Sequence, residues 1–157
     1  MSNSARGFKR VSAYLDEVGI EARVVTLDES TRTSQLAADA LGCKVAEIAK
    51  SIAFKAGEGI IVVVISGDKR VDVKKVSAYL RVKVGNADAN TVKELTGYAI
   101  GGVPPFPHAS NVRVLLDSSL ARYEKVWAAA GTPNSVMNLK VEQLRELISG
   151  EFVDVAN

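Results

Sequence analysis

The stretch KSIAFKAGEGIIVVVISGDKR, residues 50–70, decides how the rest of the chain is arranged. The apolar segment SIAF is followed by Lys55, by the glycine-containing connection AGEG and then by the run IIVVVI, Ile60–Ile65. β-Branched side chains dominate this run and favour strands. Two strands joined by a short connection with glycine predict a β-hairpin. The apolar run is far too short to cross a bilayer, so no membrane segment is predicted.

Helices and strands alternate before this hairpin. Residues 5–18 carry apolar side chains at helical spacing and are followed by Gly19, which predicts a helix that ends there. Residues 21–27 predict a strand. Thr33 is the predicted N-cap of the helix SQLAADALG, which ends at Gly42, and a short helical turn, VAEIA, leads into the hairpin.

The same alternation continues after the hairpin. Asp72 and Asp88 are the predicted N-caps of the helices VKKVSAYL and ANTVKELTG. The remaining predicted elements are the strands NVRVLLD, YEKVWAAA and VMNL and the final helix VEQLRELISG. Strands outnumber what simple βαβ repetition would give. The sequence therefore predicts one α+β domain over residues 1–157, in which helices surround a strongly twisted mixed sheet.

Composition narrows the class of protein. The chain has 157 residues, of which 47% are hydrophobic, and this suits one domain with a substantial core. A net charge of +2 is too small for a surface that coats a nucleic-acid duplex, so any contact with nucleic acid is expected at a strand end. Charges scattered through the N-terminal segment exclude a signal peptide there, and the expected location is cytoplasmic.

Conventional catalytic and metal-binding motifs are absent from the sequence. No phosphate-binding loop, dinucleotide fingerprint or H-E-x-x-H string occurs. His108 is the single histidine and Cys43 the single cysteine, so neither a histidine-rich metal site nor a disulfide within the chain is available. We expect His108 to be a partly exposed loop residue and Cys43 to be unreactive, because only Lys44 beside it is cationic. No metal and no cofactor is predicted.

Two features remain that suit an enzyme with little side-chain chemistry. Lys50 stands at the start of the segment SIAF, where it is either an ordinary surface lysine or a cation aimed at a phosphate or carboxylate. The loop GGVPPFPH, residues 101–108, begins with Gly101 and Gly102, which let backbone N–H groups approach a ligand. Pro104 and Pro105 stiffen this backbone. The alternative is a tight turn without function.

These residues lie within strings that resemble the YbaK family, also called the prolyl-tRNA synthetase-associated or INS editing domain family. The strings are TRTSQLAADALG, IAKSIAF, SGDKRVD, LTGYAIGGVPPF, VLLDSSL and VWAAAG. The resemblance runs from about Ser30 to the last helix. It implies a partly barrel-like mixed sheet surrounded by helices. It also implies a freestanding aminoacyl-tRNA deacylase that edits in trans and so serves translation fidelity.

The resemblance implies a substrate and partners as well. The substrate is a small amino acid, such as alanine, serine, threonine or cysteine, mischarged on tRNA for proline. The partners are the aminoacylated 3′ end of tRNA and prolyl-tRNA synthetase, without a cofactor. Catalysis is assisted by the substrate, because a ribose hydroxyl of the terminal adenosine activates water or the substrate's own side chain attacks.

The resemblance also assigns residues to the site. Lys50, Gly101 and Gly102 are the expected catalytic residues; Lys50 anchors the terminal nucleotide, and the glycine loop donates N–H groups to the aminoacyl carbonyl. The expected substrate-binding residues are Thr31, Thr33, Ser51, Val103, Pro104, Pro105, Asp117, Ala129 and Gly131. Helix capping accounts for Thr33 equally well, and a turn formed by an aspartate side chain accounts for Asp117 equally well. Ala128–Ala130 depart from the family, because many relatives have a serine here, and this puts the identity of the substrate in doubt.

Two other functions remain open at this stage. One is a module that binds a tRNA 3′ end or a nucleotide without turnover. The other is an accessory protein that docks on a synthetase. Release of amino acid from a panel of mischarged tRNAs, measured beside binding of uncharged tRNA, separates these functions from deacylation.

Overall fold

A computed structural model describes residues 3–27, 33–110, 112–148 and 150–157. The α-helices in these ranges are α1 (Asn3–Glu17), α2 (Ser34–Leu41), α3 (Val73–Leu80), α4 (Ala89–Thr96) and α5 (Val141–Ile148). The strands are β1 (Arg23–Thr26), β2 (Ile48–Ala56), β3 (Gly59–Ser66), β4 (Val84–Asn86), β5 (Arg113–Asp117), β6 (Lys125–Ala129), β7 (Ser135–Lys140) and β8 (Phe152–Val153). Short 3-10 helices cover Val45–Glu47 and Ser118–Arg122. No helix of the described ranges is long and apolar enough to cross a membrane.

The predicted hairpin forms the middle of the sheet. Strands β2 and β3 pair antiparallel from Ala49 opposite Ser66 to Ala56 opposite Gly59. Residues 62–65 of β3 are 0% exposed, because both faces of this strand are covered. An apolar run without alternation is typical of a strand buried on both faces.

The sheet has the order β1-β7-β6-β2-β3-β5-β8, and β4 also pairs with β2. It is mixed, since β2 pairs parallel with β6 and β3 pairs parallel with β5. The α+β class with a mixed sheet and surrounding helices is therefore confirmed.

Local capping set the helix ends as predicted. Thr33 Oγ1 accepts from the N–H of Leu36 at 3.2 Å, and Asp88 accepts from the N–H of Thr91 at 2.8 Å. Gly42 ends α2 and Gly97 ends α4 in the left-handed region, with φ of 70° and 88°. A side-chain oxygen satisfies a free N–H of the first turn, and glycine adopts positive φ without a Cβ clash.

Two strands were missed by the sequence reasoning. Strand β4, with sequence VGN, pairs with the far end of β2, and β8 pairs with the end of β5. Both are very short, and β4 contains a glycine, which weakens the pattern of a strand. They exist because a neighbouring strand edge is available to pair with them.

Strand β2 has an interrupted edge, and this gap positions the site. The N–H of Gly67 donates to the carbonyl oxygen of Ile48 at 2.8 Å, so Ile48 and every second residue after it direct their backbone groups toward β3. The backbone groups of the intervening residues point to the opposite edge. There Ala49 meets β6 and Lys55 meets β4. Among the described strands, none pairs with the backbone of Ser51 or Ala53 between them.

Candidate functional site

A cleft of about 790 Å³ opens at this gap in the edge of β2. Its walls come from the start of α2, from β2, from the turn after β3, from the loop that begins at Ile100, and from the ends of β6 and β7. Consecutive side chains of a strand point to opposite faces, and both Lys50 and Ser51 line the cleft. The cleft is thus bounded from both faces of the sheet.

The side chain of Lys50 is half-buried at one wall of the cleft. Burial lowers the pKa of its ammonium group, and repulsion from Arg70 lowers this pKa further, while Asp68 acts in the opposite direction. An ammonium group that is half-buried, and that a second cation repels more strongly than a carboxylate attracts it, is a favourable site for an anion.

The turn that follows β3 supplies the rest of this charged wall. Asp68, Lys69 and Arg70 all line the cleft. Asp68 accepts two hydrogen bonds from Arg122, at 2.7 Å and 3.1 Å, and these bonds hold the pKa of its carboxyl group below its ordinary value. Because its charge is shared with Arg122, Asp68 only partly offsets Lys50 and Arg70.

The loop GGVPPFPH forms another wall and is fixed by hydrogen bonds to its own backbone. The hydroxyl of Tyr98 donates to the carbonyl of Pro107 at 2.6 Å, and burial raises the pKa of Tyr98 to about 12, so this donor keeps its proton. His108 lies half-buried, with Nε2 at 2.9 Å from the carbonyl oxygen of Pro104. A carbonyl oxygen can only accept, so Nε2 carries a proton and His108 donates the hydrogen bond that holds the loop. Burial lowers the pKa of its imidazole, which favours the neutral form.

Gly101 and Gly102 differ in conformation and in hydrogen bonding. Gly101 has a φ of 92°, a region that favours glycine, whereas Gly102 does not have a positive φ. The N–H of Gly102 donates to the carbonyl of Ala99 at 3.0 Å. The N–H groups of Gly101 and Val103 have no acceptor among the described residues, and both residues line the cleft. Both N–H groups are therefore available to a ligand, as is that of Ile100, which lines the cleft beside them and likewise has no acceptor among the described residues.

Gly102 is required for another reason, which is the close approach of two backbone segments. A Cβ placed on Gly102 would lie 3.0 Å from both Cα and the carbonyl carbon of Thr132 and 3.2 Å from the nitrogen of Pro133. Thr132 and Pro133 line the cleft, and so do Gly101 and Val103, the neighbours of Gly102 in the chain. The absent side chain of Gly102 thus sets the distance between two walls.

The structure brings together some of the predicted site residues and separates others. The predicted residues that line the cleft are Thr33, Lys50, Ser51, Gly101, Val103 and Ala129. Those that do not line it are Gly102, Pro104, Pro105, Asp117 and Gly131. Thr31 lies outside the described residues. Pro105 instead lines a second cleft, of about 740 Å³, together with Tyr79 and Arg113.

Asp117 and Gly131 have structural roles. Asp117 is 1% exposed; its carboxylate accepts from the N–H of Ser119 and from the N–H of Val155, each at 2.9 Å. The first of these hydrogen bonds forms the aspartate turn that the sequence offered as the alternative to a role in substrate binding. Gly131 has a φ of 99°, and a Cβ on it would lie 2.3 Å from the carbonyl oxygen of Gly7. This glycine lets α1 approach the end of β6.

Sequence reasoning missed a chain of polar side chains between β6 and β7. Thr132 Oγ1 lies 3.0 Å from Asn134 Oδ1 and 2.6 Å from Ser135 Oγ, and Thr132 and Ser135 line the cleft. In the sequence, TPNS reads as an ordinary turn, because these residue types are common in turns. Among the described lining residues there is no histidine, cysteine or glutamate, and Asp68 is the single carboxylate.

Comparisons with known proteins agree with this geometry. A model of the family described as "Aminoacyl-tRNA editing domain" matches residues 28–147. The chain belongs to the aminoacyl-tRNA editing domain family. The enzyme class predicted from the sequence, an aminoacyl-tRNA deacylase, is confirmed with it.

Individual relatives cover almost the whole chain. YwhH of Bacillus subtilis, described as uncharacterized, is 35% identical over 149 residues, which are 94% of this chain and 95% of that protein. The Escherichia coli protein named multifunctional Ser/Thr-tRNA deacylase ProXp-y is 24% identical and covers 98% of this chain and 97% of its own length. A crystal structure described as a candidate trans-editing enzyme for prolyl-tRNA synthetase superposes with a TM-score of 0.90 at 37% identity, over 100% of this chain and 99% of that one.

Proposed function

We propose that the protein acts in trans on a mischarged tRNA and hydrolyses the ester that joins a small amino acid to its 3′ end. The candidate amino acids are alanine, serine, threonine and cysteine, and the candidate tRNA is that for proline. The observation that carries this proposal is the joint presence, in one cleft, of a half-buried lysine and of two backbone N–H groups that have no acceptor in the described part of the chain.

Lys50 has the environment of an anion-binding residue. Its charge lies near that of Arg70, and an arriving phosphate relieves the repulsion between the two. We assign to Lys50 the binding of the terminal nucleotide through its phosphate. This contact fixes the ester relative to the loop that begins at Ile100.

The N–H groups of Gly101 and Val103 are assigned to the ester carbonyl oxygen. When water attacks the carbonyl carbon, negative charge develops on this oxygen, and donors fixed beforehand stabilise it by about 3 kcal/mol each. The bonds of Tyr98 and His108 to the loop supply this rigidity. Gly102 contributes through the spacing of the walls.

The described lining residues offer no general base, because Asp68, their single carboxylate, is hydrogen-bonded by Arg122. The substrate supplies it. The hydroxyl of the terminal ribose next to the ester accepts the proton of the attacking water and returns a proton to the departing ribose oxygen. The carbonyl–oxygen bond breaks, and the free amino acid and a tRNA with both terminal hydroxyls are released.

The test is a panel of tRNAs for proline charged with alanine, serine, threonine, cysteine or phenylalanine. We expect release of at least one small amino acid and none of phenylalanine. Lys55→Ala is a matched control for Lys50→Ala, because Lys55 is an exposed lysine of the same strand outside the cleft. Release of phenylalanine alone contradicts the proposal, and binding of uncharged tRNA without release of any amino acid favours a binding module.

A further inference from the structure

The polar side chains between β6 and β7 form hydrogen bonds with a definite direction. Asn134 Nδ2 donates to the carbonyl oxygen of Leu27 at 3.1 Å, so its Oδ1 faces Thr132. The opposite orientation of the amide would set two carbonyl oxygens against each other. Because Oδ1 can only accept, the proton in its 3.0 Å contact with Thr132 Oγ1 comes from Thr132.

This direction determines the state of Ser135. The proton of Thr132 is used toward Asn134, so the 2.6 Å contact between Thr132 and Ser135 takes its proton from Ser135. A hydroxyl has one proton and two lone pairs. Ser135 lines the cleft, and its Oγ can offer a ligand there only an acceptor. The residue is 2% exposed, and a buried acceptor without a donor is unfavourable.

A second polar group is the hydroxyl of Ser51, which also lines the cleft. Ala49, Ala128 and Met137 are aligned across β2, β6 and β7, and all three belong to one core. Two residues further along β2 and β6, and two residues earlier in the antiparallel β7, lie Ser51, Ala130 and Ser135. Their side chains are on the same face of the sheet as the first three, because side chains alternate along a strand. The N–H of Ala130 donates to the carbonyl of Ser135 at 3.0 Å, so this register continues between β6 and β7.

Ser51 Oγ is buried and has no hydrogen-bond partner in the described part of the chain. Within the described ranges, β6 has no pairing with β2 beyond Ala128, so the gap separates Ser51 from Ala130. An acceptor on one side of the gap and a freely rotating hydroxyl on the other can hold a small group that donates one hydrogen bond and accepts another. A hydroxyl group on the β-carbon of an amino acid has both capacities.

We propose that Ser135 determines the specificity of the deacylase by accepting a hydrogen bond from the hydroxyl of the substrate's side chain. This inference rests on the proposed function and narrows it to seryl and threonyl esters over alanyl esters. Alanine leaves Ser135 Oγ without a donor. A site built to bind a hydroxyl disfavours an analogue that lacks it, because its polar atoms are then left unpaired.

The experiment compares seryl and alanyl esters on the same tRNA in steady-state deacylation. The variants are Ser135→Ala, Ser135→Thr and Ser12→Ala, the last a half-buried serine of α1 outside the cleft. We expect the ratio of kcat/KM for seryl over alanyl ester to fall about tenfold in Ser135→Ala. We expect Ser135→Thr, which retains the acceptor, to restore most of that ratio.

Equal losses on both esters would overturn the inference, since Ser135 would then bind a group common to all substrates, such as the α-ammonium. Binding of 3′-seryl-amino and 3′-alanyl-amino adenosine, which cannot be hydrolysed as esters, separates the two proposals. A preference for the seryl compound that Ser135→Ala abolishes supports the inference even if no ester is cleaved. Equal binding of the two compounds by the wild type contradicts it even if esters are cleaved.

Discussion

Gly102→Ala is the substitution that tests most directly how the walls of the cleft are spaced. The added Cβ would meet Cα and the carbonyl carbon of Thr132 at 3.0 Å and the nitrogen of Pro133 at 3.2 Å. These atoms belong to the backbone, so a rotamer change cannot relieve the contact, and one segment must move by a few tenths of an ångström. Overpacking of this kind lowers the free energy of unfolding by about 1–3 kcal/mol.

The effect on activity follows from the same displacement. Movement of the loop shifts the N–H groups of Gly101 and Val103 relative to the ester. Because a misplacement of about 1 Å can reduce a rate by roughly 100-fold, we expect a loss of about tenfold in kcat for a shift of a few tenths. The assay is single-turnover deacylation with the enzyme in saturating excess over the substrate, with denaturant unfolding of the same preparations.

Two other glycines provide controls for this experiment. Gly85→Ala places its Cβ in open space, with no atom within 4 Å, and should leave both quantities near the wild type. Gly101→Ala has room for its Cβ, whose nearest atom is Pro133 Cβ at 3.9 Å, but its φ of 92° imposes about 1–3 kcal/mol of strain. Wild-type kcat and stability in Gly102→Ala would refute the argument that this contact spaces the walls.

Four further predictions concern charge, pH and metals. Lys50→Ala should reduce deacylation by orders of magnitude and weaken its dependence on salt, Lys50→Arg should recover only part, and Lys55→Ala should resemble the wild type. Binding of the non-hydrolysable 3′-aminoacyl-amino adenosine 5′-phosphate, measured by calorimetry, should weaken as the pH rises through the lowered pKa of Lys50, because the neutral amine no longer attracts the phosphate. The Lys50→Arg variant should not show this change with pH. Because the pKa of His108 is lowered in the folded protein, the unfolded chain binds a proton more readily, and the free energy of unfolding should fall as the pH drops below about 6.5. Melting temperatures at pH 7 and pH 5 measure this loss, which should be smaller in His108→Gln. Exhaustive chelation should leave deacylation unchanged, and a loss restored by one divalent metal would contradict the mechanism.

Features that depend on short stretches of chain could be predicted from the sequence. The hairpin of β2 and β3 and the caps at Thr33 and Asp88 agree with the structure, whereas Lys50, expected at the start of its strand, lies inside β2, which already begins at Ile48. The prediction for Asp117 stayed open, because a carboxylate before Ser-Ser suits a turn and a site equally. Its second partner, the N–H of Val155, is 38 residues away and decides the matter.

The sequence by itself determined the helices, the longer strands and the prolines that restrict the loop at residues 101–108, because propensity, capping and proline act over a few residues. The tertiary structure alone decided where the sheet is interrupted, since the gap at Ser51 and Ala53 depends on where β6 and β4 cease to pair with β2. It also decided that Ser135 is an acceptor. That property follows from the hydrogen bond that Asn134 donates to the carbonyl oxygen of Leu27, 107 residues away in the chain. Only the packing of the whole fold brings two such distant residues together.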